Sequence, residues 1–189
     1  MSAHRAARRR WVLRAAVVLA VAAVVHGLAI WAAPRLIMGR VLAGIGTTGG
    51  GGGSGGVFLP PMTDASQRRI VMPSPDLLYA VCPFDVARTP LRIRADPKAP
   101  GYWSIALYSA SSDNFFVIND RQAGGRPVDL VLAGPSAYPT APAVPDGATL
   151  VAAPSARGML LMRVLVADYA AQRDQLEAAR ATLRCEPLR

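Results

Sequence analysis

Between Arg14 and Arg35 the chain carries no formal charge, and residues 15–33 read AAVVLAVAAVVHGLAIWAA. A bilayer's hydrocarbon core needs about 20 residues of helix, so a run of this length and composition is read as a membrane span. It splits the chain into four parts: a basic cytoplasmic N-terminus over 1–14, a transmembrane helix over 15–37, a Gly-rich tether over 38–56 and an extracytoplasmic domain over 57–189.

Charge sets the expected orientation. Arg5, Arg8, Arg9, Arg10 and Arg14 precede the span and only Arg35 and Arg40 closely follow it. Positive flanks are retained inside, which predicts a cytoplasmic N-terminus, a periplasmic domain and residence in the bacterial inner membrane. The competing reading is a signal peptide whose cleavage releases a soluble periplasmic binding module. The apolar run exceeds the usual ~7–15 residues of a signal core. Its best small-residue site, Trp31-Ala32-Ala33, is followed by Pro34, an obstacle to cleavage. Arg9-Arg10-Trp11-Val12-Leu13 loosely resembles a twin-arginine export signal, but a triple arginine before an anchor is the commoner explanation. His26 lies inside the span and is read as a tolerated neutral imidazole.

The net charge of +9 suggests nucleic acid until it is located along the chain. Seven of the 21 basic residues flank the span, and from Val57 onward 14 basic residues face all 12 acidic ones. No nucleic-acid partner is expected. The expected partners are the membrane and either an envelope protein or a small-molecule ligand.

Residues 46–56, GTTGGGGGSGG, lack the Gly-Lys-Ser/Thr of a phosphate loop and the strand-turn-helix setting such a loop requires. A flexible tether is the reading. Beyond it, short β-rich runs alternate with turn signals. Residues 77–82 follow an extended Pro73-Ser74-Pro75; Leu91-Arg92-Ile93-Arg94 alternates apolar and charged; Trp103, Ile105 and Leu107 share one face of a strand. Residues 115–118, 128–132, 149–152 and 158–166 extend the series, with Gly124-Gly125 as a turn and 134–147 as a Pro-rich loop. Asp168 is a plausible N-cap for a helix over 169–184. The fold class expected is mainly β: an antiparallel, jelly-roll-like β-sandwich with a C-terminal α-helix.

Both histidines, His4 and His26, precede the tether, so the domain has no imidazole for a Ser-His-Asp triad, a Cys-His pair or a histidine-ligated metal. No metal and no cofactor are expected. Two carboxylates can still act as acid and base, with Asp113 and Asp120 as the first pair and Asp85 and Asp129 as alternatives. Asp and Asn also close turns through their side chains, so Ser111, Ser112, Asp113 and Asn114 read first as a strand connection that borders a ligand site and only secondarily as an active site. The candidate ligand-contacting residues are Asp113, Asn114, Asp120, Tyr102 and Ser104. Cys82 and Cys185 are the only cysteines; an oxidising compartment permits a disulfide between them, and two buried free thiols are the alternative.

The stretches SQRRIVMPSPDLLY (66–79), Phe84-Asp85, Pro90-Leu91-Arg92-Ile93 and YWSIALY (102–108), leading to Asp113-Asn114-Phe115, resemble the bacterial domain-of-unknown-function family numbered twelve fifty-four. The resemblance covers about 57–165, is most specific in the Tyr-x-Ser strand and Asn-Phe pair, and is to the short membrane-anchored members without the domain numbered twelve fourteen. It implies a β-sandwich in an exported or membrane-bound protein and brings no catalytic residues with it. The function expected is a single-pass membrane protein presenting a periplasmic binding domain. A carboxylate-based hydrolase or carbohydrate-active enzyme is the alternative.

Overall fold

A computed structural model describes residues 2–48, 56–64, 73–137 and 142–188. The centre of the Gly-rich stretch, 49–55, and the first part of the family-like motif, 66–72, lie outside the described residues. The chain divides into two compact units, Met1–Ile37 and Met38–Arg189.

Helix α1 covers Ser2–Thr48, and it is the one helix among the described residues long and apolar enough to cross a membrane. Its side chains from Val17 through Ile30 are exposed. Tryptophans mark both ends of the apolar run. The Arg14 guanidinium lies 5.8 Å from the Trp11 ring and that of Arg35 lies 4.6 Å from the Trp31 ring. Trp11 and Trp31 are separated by about 30 Å of helix, the thickness of a hydrocarbon core, and Trp is the residue that favours the interface.

The helix does not stop at residue 37. It continues through Pro34 and on to Thr48, so the first part of the stretch expected as a tether is helical. Pro34 removes one N–H from the ladder, a loss that helices of this kind tolerate. Beyond it Leu36, Met38, Arg40, Leu42 and Ala43 are good helix formers, which is why one proline does not end the element.

Among the described residues the second unit has eight strands in two four-stranded sheets. Sheet 1 has the order β1-β7-β3-β4, formed by Leu77–Asp85, Arg157–Leu165, Trp103–Ser109 and Asn114–Asn119. Sheet 2 has the order β6-β5-β2-β8, formed by Thr149–Ala152, Val128–Ala133, Leu91–Ala95 and Arg184–Pro187. One core joins them: Leu78, Ile105, Leu107, Leu160 and Met162 from sheet 1 share a cluster with Leu91, Ile93, Leu130 and Leu132 from sheet 2. The alternation legible in YWSIALY and LRIRA is thus the alternation between this core and the outer faces. The chain crosses repeatedly between the sheets, since β1, β3, β4 and β7 belong to one and β2, β5, β6 and β8 to the other.

Pro83 sits inside β1, where it has no N–H to give to a ladder. β1 is an edge strand paired to β7, and among the described residues its other side carries only an isolated bridge between Val81 and Phe58, so the proline is tolerated. Gly158 is required on β7, because a Cβ there would collide with the Tyr108 carbonyl and the Phe84 ring.

Three features depart from the expected antiparallel sandwich with a terminal helix. β5 and β6 run parallel, because the long connection between Ala133 and Thr149 gives the chain room to return before pairing. A single helical turn, α2 (Asp120–Ala123), follows β4, held by a capping box in which Asn119 and Gln122 exchange side-chain and backbone bonds. Helix α3 spans Tyr169–Arg180, capped by Asp168 through the Ala171 N–H, and stops short of residue 184. The chain then forms β8, because Leu183 and Cys185 are buried in alternation with exposed Arg184 and Glu186. Arg180, buried in the last turn of α3, donates to the carbonyls of Tyr79 and Pro60 and pairs with Glu177 at 2.5 Å.

Candidate functional site

The polar stretch after β3 is a hairpin turn that uses its own groups. Ser109 Oγ accepts from the N–H groups of Ser111 at 3.2 Å and Asp113 at 3.3 Å, and Ser111 Oγ donates to Asp113 Oδ2 at 2.5 Å. The Ser109 N–H donates to the Asp113 carbonyl at 2.9 Å, while Ser112 takes a left-handed φ of 68°. Short polar side chains suit such a turn because they bond to nearby backbone and tolerate that conformation. Asn114, exposed at the start of β4, pairs with Tyr108.

Asp120 lies beyond the other end of β4. Six residues of near-extended chain separate it from Asp113, roughly 20 Å, whereas paired catalytic carboxylates of glycosidases stand about 5–10 Å apart. The structure therefore does not bring Asp113 and Asp120 together. Nor are Asp85 and Asp129 free. Arg92 grips both Asp129 oxygens, at 3.0 and 2.6 Å, and these bonds hold its carboxyl below the usual carboxylate range against the opposing effect of burial. Asp85 is also lowered, first by the Ala87 N–H at 3.0 Å and then by Arg157 at 2.9 Å, with burial opposing both.

Ser104 belongs to a different setting. It points away from the core between Trp103 and Ile105, yet it is fully buried, and its Oγ has no hydrogen-bond partner among the described residues. Strand register places Arg163 of β7 directly opposite it on one side and Asn119 of β4 on the other, with Tyr79 of β1 opposite Arg163. These four side chains form one row across sheet 1, at about 4.8 Å per strand. The Arg163 Nε is buried without a partner, and no hydrogen bond or ion pair engages this arginine among the described residues. Tyr79 Oη accepts from the Ser74 N–H at 3.0 Å, which leaves its own hydrogen to donate. Tyr102, 40% exposed and two residues from Ser104 on the same face, borders the row. Asp120 Oδ1, next to Asn119, is a third buried atom lacking a partner among the described residues.

Of the expected ligand-contacting residues, Ser104, Tyr102 and Asp120 thus fall at or beside one end of β3 and β4, and Asp113 and Asn114 at the opposite end. Arg163 and Asn119 escaped the reading of the sequence. The available signal was the single charge in GMLLMRVL, an arginine at a position that faces away from the core.

The outer face of sheet 2 is the other polar surface. Besides Arg92 with Asp129, Arg94 pairs with Glu186 at 2.9 Å, and Arg184 donates to the carbonyls of Ala181 and Leu183. An open groove of about 400 Å³ runs over Arg94, Asp129, Thr182 and Glu186. Its charged walls already satisfy one another. Cys82 of β1 and Cys185 of β8 form a disulfide that ties the two sheets across 103 residues. Among the described residues no cluster of His, Cys, Asp and Glu is arranged to hold a metal ion.

Comparison with curated proteins finds no match. Among solved structures, one from Vibrio parahaemolyticus aligns with a TM-score of 0.54 at 15% identity over 61% of this chain and 28% of its own length. A putative uncharacterised protein from Burkholderia cenocepacia aligns with a TM-score of 0.48 at 19% identity over 87% of this chain and 42% of its own. The chain therefore spans less than half of either protein, and the Vibrio likeness speaks for the fold alone. The family model described as "Protein of unknown function (DUF1254)" matches residues 39–187, most of the chain and nearly all of the second unit. On that match the chain belongs to the DUF1254 family.

Proposed function

We propose that this protein is a single-pass inner-membrane protein that presents a β-sandwich to the periplasm, where the domain binds a ligand or envelope partner without transforming it. The observation that carries this reading is the disulfide between Cys82 and Cys185, since such bonds persist in oxidising compartments and are rare in the cytoplasm. The arginine excess before the span favours the same orientation. The Trp11 and Trp31 spacing, matched to a bilayer's hydrocarbon thickness, favours a retained anchor over a cleaved signal. Binding is favoured over hydrolysis because Asp85 and Asp129 are held by arginines, Asp113 is held by its own turn, and Asp120 is separated from Asp113 by the length of β4.

Topology reporters test the reading. Alkaline phosphatase fused after Arg189 is expected to be active, and a cytoplasmic fluorescent reporter at the same site dark. The opposite pattern rejects the orientation. Release of the protein from membranes by carbonate, with a mature N-terminus beyond Ala33, would favour the cleaved soluble module instead.

A further inference from the structure

We propose that the outer face of sheet 1 is a binding site for one compact oxyanion, a carboxylate or a phosphate group, held by Arg163 and Ser104. The inference deepens the reading of the domain as a binding module and rests on it. Its basis is an excess of donors in the row across the four strands. Arg163 supplies a guanidinium whose Nε is buried without an acceptor, and Ser104 Oγ, directly opposite, is buried without any partner among the described residues. Tyr79 Oη has its hydrogen still to give, and Asn119 flanks Ser104 on the far strand.

Burying the Nε–H of a guanidinium without an acceptor is costly, and native interiors rarely leave such a group unmatched. A water satisfies a lone hydroxyl. It does not match the planar fork that Nε and a terminal nitrogen present, which fits two oxygens of one anion. Among the described residues the chain offers no internal substitute, because no carboxylate forms an ion pair with Arg163, whereas Arg92, Arg94, Arg157 and Arg180 each have one. Asp120, one residue past Asn119, has a buried Oδ1 without a partner among the described residues and forms no ion pair with Arg163. Arg163 is only half-buried, so the anion has a way in over the guanidinium, while Tyr102 provides an exposed aromatic wall for whatever the anion is attached to.

The experiment uses the full chain in a nonionic detergent and follows thermal unfolding with inorganic phosphate or propionate against sodium chloride at equal ionic strength. At about a hundredfold excess over Kd, binding raises Tm by about 5–10 °C. The arm that responds identifies phosphate or carboxylate as the source of the oxyanion. Arg163→Gln is expected to abolish the specific shift and Ser104→Ala to weaken binding about tenfold. Because Ser104 Oγ makes no bond within the described chain, Ser104→Ala should leave the unliganded Tm unchanged or raise it. An absence of any shift beyond chloride, an equal shift in Arg163→Gln, or a Ser104→Ala protein with lowered unliganded Tm would each overturn the proposal. Topology reporters remain unaffected by all of these, so failure here is distinguishable from failure of the membrane-anchored reading.

Discussion

The two outer faces of the sandwich treat arginine in opposite ways. On sheet 2, Arg92 and Arg94 lie on the central strand β2 and each is matched across the ladder, one by Asp129 of β5 and the other by Glu186 of β8. On sheet 1, Arg163 lies on the central strand β7 between Tyr79 and Ser104, and among the described residues nothing across the ladder accepts from it. The same residue type in the same kind of position is structural where its partner is built in and a candidate for binding where it is not. Composition does not separate the two cases. Register does.

The largest effect expected concerns what holds the two faces together. Breaking the Cys82–Cys185 bond, by reductant or by a Cys82→Ser, Cys185→Ser double substitution, removes a cross-link that closes a 103-residue loop between the sheets. On the chain-entropy estimate this costs about 4–5 kcal/mol, measurable as a fall in the denaturation midpoint relative to the unreduced parent. A change confined to sheet 1 is expected to cost less. Gly158→Ala pushes a Cβ against the Tyr108 carbonyl and the Phe84 ring, and such overpacking costs about 1–3 kcal/mol. A Gly158→Ala protein as stable as the parent would show that β7 and β1 pack more loosely than described.

The smallest effect contrasts the faces directly. The folded pKa of Asp129 is lowered chiefly by the Arg92 bonds, so its stabilisation is fully present above the unfolded carboxylate pKa of about 3.9 and is lost as pH falls through the lower folded value. Asp129→Asn should therefore lower Tm modestly at pH 7, and the gap to the parent should close as the buffer is taken below pH ~3.9. Arg163→Met, on the other face, should produce no loss at either pH in the absence of anion. A loss at pH 7 matching that of Asp129→Asn would erase the distinction between the two faces.

Much of the sandwich was legible along the chain because a two-residue period is a local property. LRIR and WSIAL announce their buried faces one residue at a time, and Asp168 announces the start of α3 through a single capping side chain. β8 was hidden because four residues give too few alternations to distinguish a strand from the end of the preceding helix. The parallel β5–β6 pair was hidden because direction depends on where a long loop returns, which its composition does not record. The site was legible only in part for the same reason. Ser104 and Tyr102 stand out within one strand, but their relation to Arg163 comes from the pairing of β3 with β7, segments about sixty residues apart.

The position of the cysteines also gives the fold a clock. On the proposed topology, Cys82 reaches the periplasm well before Cys185, which lies 103 positions further on and at about 5–20 residues synthesised per second takes roughly 5–20 s to follow. During that interval the first cysteine is an exposed thiol with no legitimate partner, open to capture by a neighbouring chain or by an oxidoreductase. A protein arranged in this way depends on its cell to protect one sulfur until the last strand arrives, so depletion of the periplasmic oxidation machinery should show up first as disulfide-linked dimers through Cys82.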